Sequence, residues 1–168
     1  MRIILSLLLM LSAQSVQAFG LQVWFFDGNP KDRLIIRNAG CPIWDATIVL
    51  DMRPTQNGIL FDTVRGGPGI RDPLDITVDQ GDATLGPVAD GDQVLHIFVN
   101  HLRDADQITI AMDVDDSGIG DQVVVTGSEM QGAIVSITIE GETTQTTLDH
   151  ASRGLLQIPA AAQACLTS

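Results

Sequence analysis

The chain has no tyrosine, two tryptophans and five phenylalanines, so aromatic residues make up only 4% of its 168 positions. That is poor material for a sugar-stacking cleft. Basic residues are also scarce: 9 Lys and Arg stand against 21 Asp and Glu, a formal net charge of −12. Such a field repels phosphate backbones and anionic lipid headgroups, so nucleic acid and membrane surfaces are disfavoured partners and cations are favoured. There is no Gly-x-Ser-x-Gly elbow and no glycine-rich loop followed by Gly-Lys-Ser or Gly-Lys-Thr. Nucleophilic-serine and phosphate-cradling chemistry therefore lack their usual sequence marks, and Gly66-Gly-Pro-Gly69 reads as a turn. No window carries a helical apolar stripe, and no apolar run after the N-terminus reaches the roughly 20 residues that a spanning helix needs.

The one strongly apolar run is at the start. Arg2 precedes residues 3–11, and Val16-Gln-Ala18 follows a short polar segment. The pattern predicts a secretory signal peptide over residues 1–18, cleaved before Phe19, with a single domain over 19–168. No cysteine stands at the cleavage position, so a lipid anchor is not expected. The expected location is extracellular, cell-surface or periplasmic, with no membrane insertion of the mature chain. Cys41 and Cys165 are the only cysteines, and in an exported protein such a pair predicts a disulfide. It would close a loop of roughly 120 residues, worth roughly 5 kcal/mol by chain entropy.

The remaining chain alternates apolar and polar residues in short runs separated by Gly, Pro, Asn and Asp. Strands are predicted over 19–26, 33–37, 45–53, 59–61, 73–78, 83–85, 93–101, 107–115, 122–126, 131–139 and 143–148, with the tail from Leu155 as a last strand or a loose end. Residues 93–101 are apolar on both sides, as in a central strand of a two-layer stack. About ten short strands at turn spacings of 8–12 residues predict an all-β fold, a single antiparallel β-sandwich of immunoglobulin-like type. Barrels and jelly rolls fit the same pattern.

The densest carboxylate cluster follows the clearest strand, in which Ile108, Ile110, Met112 and Val114 alternate with Thr109, Ala111, Asp113 and Asp115, the pattern of a strand with one buried face. In Asp113-Val-Asp-Asp-Ser-Gly-Ile-Gly-Asp121, oxygen-bearing side chains occupy relative positions 1, 3, 5 and 9 and glycine occupies position 6. That is the first part of an EF-hand-type loop, where hard oxygen ligands converge on Ca²⁺ and glycine permits the sharp turn. The expected ligands are the side chains of Asp113, Asp115, Ser117 and Asp121 and the carbonyl of Ile119. Position 12 is Val124 rather than the bidentate Glu, so a complete site needs a carboxylate from a second loop, with Asp79, Asp82, Asp90 and Asp92 as candidates. An acidic turn without an ion is the plainer alternative. His96 and His101 are five apart on a strand, which places them on opposite faces and rules out a simple metal-binding pair.

Four segments resemble the aggregation-factor core family, exported proteins named after the adhesion proteoglycan of sponges and found also in bacteria. They are Ile59-Leu-Phe-Asp-Thr63 ahead of Gly66-Gly-Pro-Gly69, Asp90-Gly-Asp-Gln-Val-Leu95, Ile110-Ala-Met-Asp-Val-Asp-Asp116 and Thr126-Gly-Ser-Glu-Met-Gln-Gly-Ala133. The resemblance implies an extracellular β-rich protein associated with calcium-dependent adhesion. The chain has no glycan-carrying low-complexity region, so it does not imply a proteoglycan. The expected function is that of a secreted, non-enzymatic, calcium-binding sandwich. Its expected partners are a divalent cation together with cell-surface or matrix components or further copies of itself. A secreted hydrolase with a carboxylate pair and a structural β-domain without a ligand are the alternatives.

Overall fold

The computed structural model describes residues 20–28, 30–64, 74–116 and 125–159. The expected signal peptide, Cys165 and residues 122–124 of the strand expected over 122–126 lie outside them, and residues 125–126 are not strand. Twelve strands are described: β1 (Gly20–Phe26), β2 (Asp32–Ala39), β3 (Ile43–Asp51), β4 (Leu60–Phe61), β5 (Thr77–Gln80), β6 (Asp82–Leu85), β7 (Val94–Leu102), β8 (Gln107–Met112), β9 (Val114–Asp115), β10 (Ile134–Ile139), β11 (Glu142–Thr147) and β12 (Arg153–Gln157). A single 3₁₀ turn, Gly127–Met130, interrupts them. Among the described residues no helix is long and apolar enough to cross a membrane.

The strands form two five-stranded antiparallel sheets that pack as a sandwich. Sheet A has the order β12-β1-β2-β8-β5, and sheet B the order β11-β10-β3-β7-β6; β4 and β9 make a separate short pair. Alternation sets which side chains enter the core. In β1, Leu21, Val23 and Phe25 are buried while Gln22, Trp24 and Phe26 face outward; in β3, Ile48 and Leu50 are buried and Thr47 and Val49 less so. Leu34 and Ile36 of β2, Leu95 and Ile97 of β7 and Val135 and Ile137 of β10 complete the apolar layer. Each fully buried side chain of this size contributes about 1.5–3 kcal/mol before chain entropy is counted.

Three expectations are corrected here. Residues 74–76 are not strand; β5 starts only at Thr77. β7 is not covered on both sides, since His96, Phe98 and Asn100 are exposed: its outer face in a two-layer sandwich has no third layer over it. β8, by contrast, is buried on both faces: Thr109 and Ala111 are 7% and 1% exposed. The small Ala111 sits in register between Arg33 and Thr77, and Thr109 between Ile35 and Gln80, so longer neighbours close over both. The tail does supply a last strand, β12, against β1.

Both long edges of the sandwich are laced by continuous chain. β5, an edge of sheet A, passes through the single residue Gly81 into β6, an edge of sheet B. Gly81 has φ +100°, and a Cβ there would lie 2.8 Å from Ile108 Cγ1 and 2.9 Å from the Gln107 carbonyl oxygen. Only glycine fits that corner. On the opposite edge, β11 returns as β12, and the Thr144 hydroxyl donates to the Gln157 carbonyl across the junction. Asn38, fully buried, ties the sheets from within: its side-chain amide donates to the carbonyls of Cys41 (2.7 Å) and Leu102 (3.1 Å).

Candidate metal centre

The chain leaves sheet A at Asp113. β8 stops at Met112, and after that one residue the chain pairs with β4 as β9, Leu60 opposite Asp115 and Phe61 opposite Val114. The break brings the acidic residues of four segments to one end of the sandwich. The backbone N–H of Asp62 donates to the Asp113 carbonyl at 3.2 Å. Asp32, opposite Met112 at the start of β2, accepts from the backbone N–H of Gly28 at 3.0 Å. Asp90 accepts from the backbone N–H groups of Thr63 and Val64 at 2.8 and 3.0 Å and so holds the chain that follows β4.

Burial and mutual repulsion act on these carboxyls together. Asp62 is 2% exposed, its Oδ1 has no hydrogen-bond partner, and its pKa is pushed up to about 6 by burial first and then by the charges of Asp115, Asp113 and Asp90. Asp32 is 5% exposed and is pushed up to about 7, again by burial first, with Asp113 and Asp27 adding to it and the Gly28 and Val114 amides opposing. Asp113 is raised by burial and by Asp115, and the nearby Lys31 charge partly offsets both. A buried carboxylate surrounded by like charge favours either a proton or a cation.

Of the sequence-predicted ligands, the structure brings Asp113 and Asp115 together at this end. Ser117, Ile119 and Asp121 lie outside the described residues. Asp90 is the member of the proposed second-loop set that reaches the cluster. Asp79, Asp82 and Asp92 do not: they accept from the Thr77 hydroxyl, the Asn100 amide and the Ala89 N–H. Sequence reasoning missed Asp32 and Asp62 as site residues, although Asp62 belongs to one of the four segments that carry the family resemblance. Among the described residues, no three His, Cys, Asp or Glu side chains are grouped so as to hold a metal ion.

Comparison with family models, with curated proteins and with solved structures returns no match. The resemblance to the aggregation-factor core family therefore rests on the four quoted segments.

The histidine reading is corrected. Val99 and Leu102, three residues apart, are both buried, and Ala46 and Ile43 opposite them are as well. Alternation therefore slips by one residue where Asp45 adopts φ +50°. His101 consequently emerges on the same outer face as His96 and stacks on Trp44, with ring centroids 5.2 Å apart and planes 16° from parallel. It is an aromatic partner there. Ser128, Glu129 and His150 are among the residues that line a surface hollow of about 480 Å³. Ser128 there hydrogen-bonds Thr126, 3.1 Å away, and Glu129 accepts from the Thr126 N–H and hydroxyl. Cys41 is buried, and no free cysteine stands among the described residues.

Proposed function

We propose that the chain is an exported, non-enzymatic β-sandwich of immunoglobulin-like type that binds Ca²⁺ weakly at its acidic end and acts in surface adhesion or aggregation. The observation that carries the calcium reading is Asp62, a buried carboxylate with an unpartnered oxygen, held against Asp113 and within the field of Asp115. It supplies the closing carboxylate that position 12 of the acidic loop lacks. The proposed ligand set joins Asp62 to Asp113, Asp115, Ser117, the carbonyl of Ile119 and Asp121; its three described carboxylates are not grouped as an ion site by themselves. Extracellular modules of this kind bind with dissociation constants of about 10⁻⁴–10⁻³ M, matched to millimolar calcium.

The strand neighbours support the immunoglobulin-like assignment. β1-β2-β8 facing β11-β10-β3 repeats the A-B-E and G-F-C neighbours of that sandwich, although β5 precedes β6 and β7 in the chain, a departure from its usual order. The buried Cys41, bonded to Cys165 after export, would pin the tail to the turn between β2 and β3.

The test compares calorimetric titration and thermal melting in millimolar Ca²⁺ and in chelator, for the native chain and for Asp62→Asn and the pair Asp113→Asn with Asp115→Asn. Heat release and a higher melting point for the native chain, both lost in the variants, are expected. Identical behaviour of the native chain in the two buffers removes the calcium reading.

A further inference from the structure

The two outer faces of the sandwich differ in charge. Directly opposed residues of adjacent antiparallel strands share a face. On sheet A this yields three outward rows: Leu155, Gln22, Arg37, Gln107; then Arg153, Trp24, Ile35, Thr109; then Phe26, Arg33, Ala111, Thr77. The three rows themselves hold no carboxylate, in a chain with 21 acidic residues; Asp79, in the bulge of β5, accepts from the Thr77 hydroxyl at the margin of this face. Arg33, Arg37 and Arg153 are exposed, and none of them is ion-paired with a described residue; Arg53 with Asp51 is the one such pair. The outer side of sheet B carries the opposite sign. Asp45 and Asp82 flank the Trp44–His101 stack there, and Phe98 stands in the next row.

Exposed apolar side chains divide in the same way. Phe26 and Leu155, 49% and 44% exposed, belong to sheet A; Trp44 and Phe98, 56% and 44% exposed, belong to sheet B. Each face therefore offers large apolar side chains bordered by charge, with the signs reversed between the two. The edge strands β5, β6, β11 and β12 are only four to six residues long, short templates for strand addition.

We infer that the partner of each face is a second copy of this chain, the arginine face of sheet A stacking on the Asp45–Asp82 face of sheet B. It names a partner within the aggregation reading and does not depend on the calcium reading, since none of these residues belongs to the acidic end. The contact is heterologous: joining A to B leaves a free A face and a free B face, so the assembly grows rather than closes. Five strands about 4.8 Å apart present about 500 Å² per face, or about 1,000 Å² for a contact, at the lower limit of specific interfaces. The association is therefore weak and depends on concentration. At about 0.15 M salt the screening length of about 8 Å mutes the net repulsion between copies while leaving contacts across the face.

Sedimentation velocity on the native chain, in chelator and in millimolar Ca²⁺, provides the test. Oligomers that grow with protein concentration in both buffers are expected; a monomer up to about 1 mM overturns the inference. Two variants then identify the faces, each checked for an unchanged melting point. Arg33→Glu with Arg37→Glu and Arg153→Glu blocks face A; Asp82→Lys with Phe98→Lys blocks face B. Each alone is expected to be monomeric, and their equimolar mixture should give dimers and nothing larger, since each supplies the face the other lacks. A face-B variant that still dimerises by itself would mean a symmetric A-to-A contact and overturn the stacking. Retention of a monomeric native chain by an immobilised polyuronate, lost in the arginine variant, would assign the face to an acidic polymer instead. Because stacking is measured in chelator as well, its failure and the failure of calcium binding are read separately.

Discussion

The backbone N–H of Asp62 donates to the carbonyl of Asp113 at 3.2 Å, while the side chains of the same two residues repel each other. The chain thus holds together two charges that water alone would let drift apart. Removing one of them should relieve the fold. Asp62→Asn in chelator at about pH 8 should raise unfolding stability by about 1–3 kcal/mol, since one tenfold change in proton affinity corresponds to about 1.4 kcal/mol. Urea denaturation measures this directly, and a loss of stability on the substitution would contradict the assignment of Asp62 as a strained carboxylate.

The sign of the pH dependence follows from the same groups. Asp32 and Asp62 bind protons more tightly in the folded chain, at about 7 and about 6, than the ordinary 3.8 of an unfolded aspartate. Between those limits the folded state carries the extra protons, so stability falls as pH rises from about 4 to about 7 and levels off above. In chelator the melting point should be higher at about pH 5 than at about pH 8 through these groups. Added Ca²⁺ should reverse part of the loss only on the alkaline side, where it no longer competes with protons. Melting curves across this range, with and without the ion, give both slopes.

Gly81→Ala places a methyl 2.8 Å from Ile108 Cγ1 and 2.9 Å from the Gln107 carbonyl oxygen, at a φ of +100°. Overpacking and a disfavoured backbone combine, and a destabilisation of about 2–4 kcal/mol is expected. Chemical denaturation of the purified variant checks it.

Asn38→Ala removes the donor shared by the Cys41 and Leu102 carbonyls and leaves both buried. Each stranded acceptor costs about 1–3 kcal/mol, so a loss of about 2–4 kcal/mol should appear in the same assay. Amide exchange should quicken around the turn between β2 and β3 first.

The two-layer β architecture was legible because alternation in β1, β2, β3 and β10 is a local property of the chain. Departures came where neighbours, not periodicity, decide burial. Thr109 and Ala111 read as outward-facing and are buried, because Arg33, Thr77 and Gln80 flank them in register. His101 changed face because of a slip at Asp45 that no spacing rule encodes. The candidate site divides in the same way. Asp113 and Asp115 are visible as a run, whereas Asp32 and Asp62 reach it through pairings 51 or more residues apart in sequence.

The lacing described at Gly81 and between β11 and β12 also has a mechanical meaning. A sandwich joined along one edge can open like a book; one joined along both behaves as a flattened sleeve. Prying its sheets apart requires tearing a strand out of register, so slow amide exchange should report the two sheets opening together, as one unit, with no state in which either stands alone.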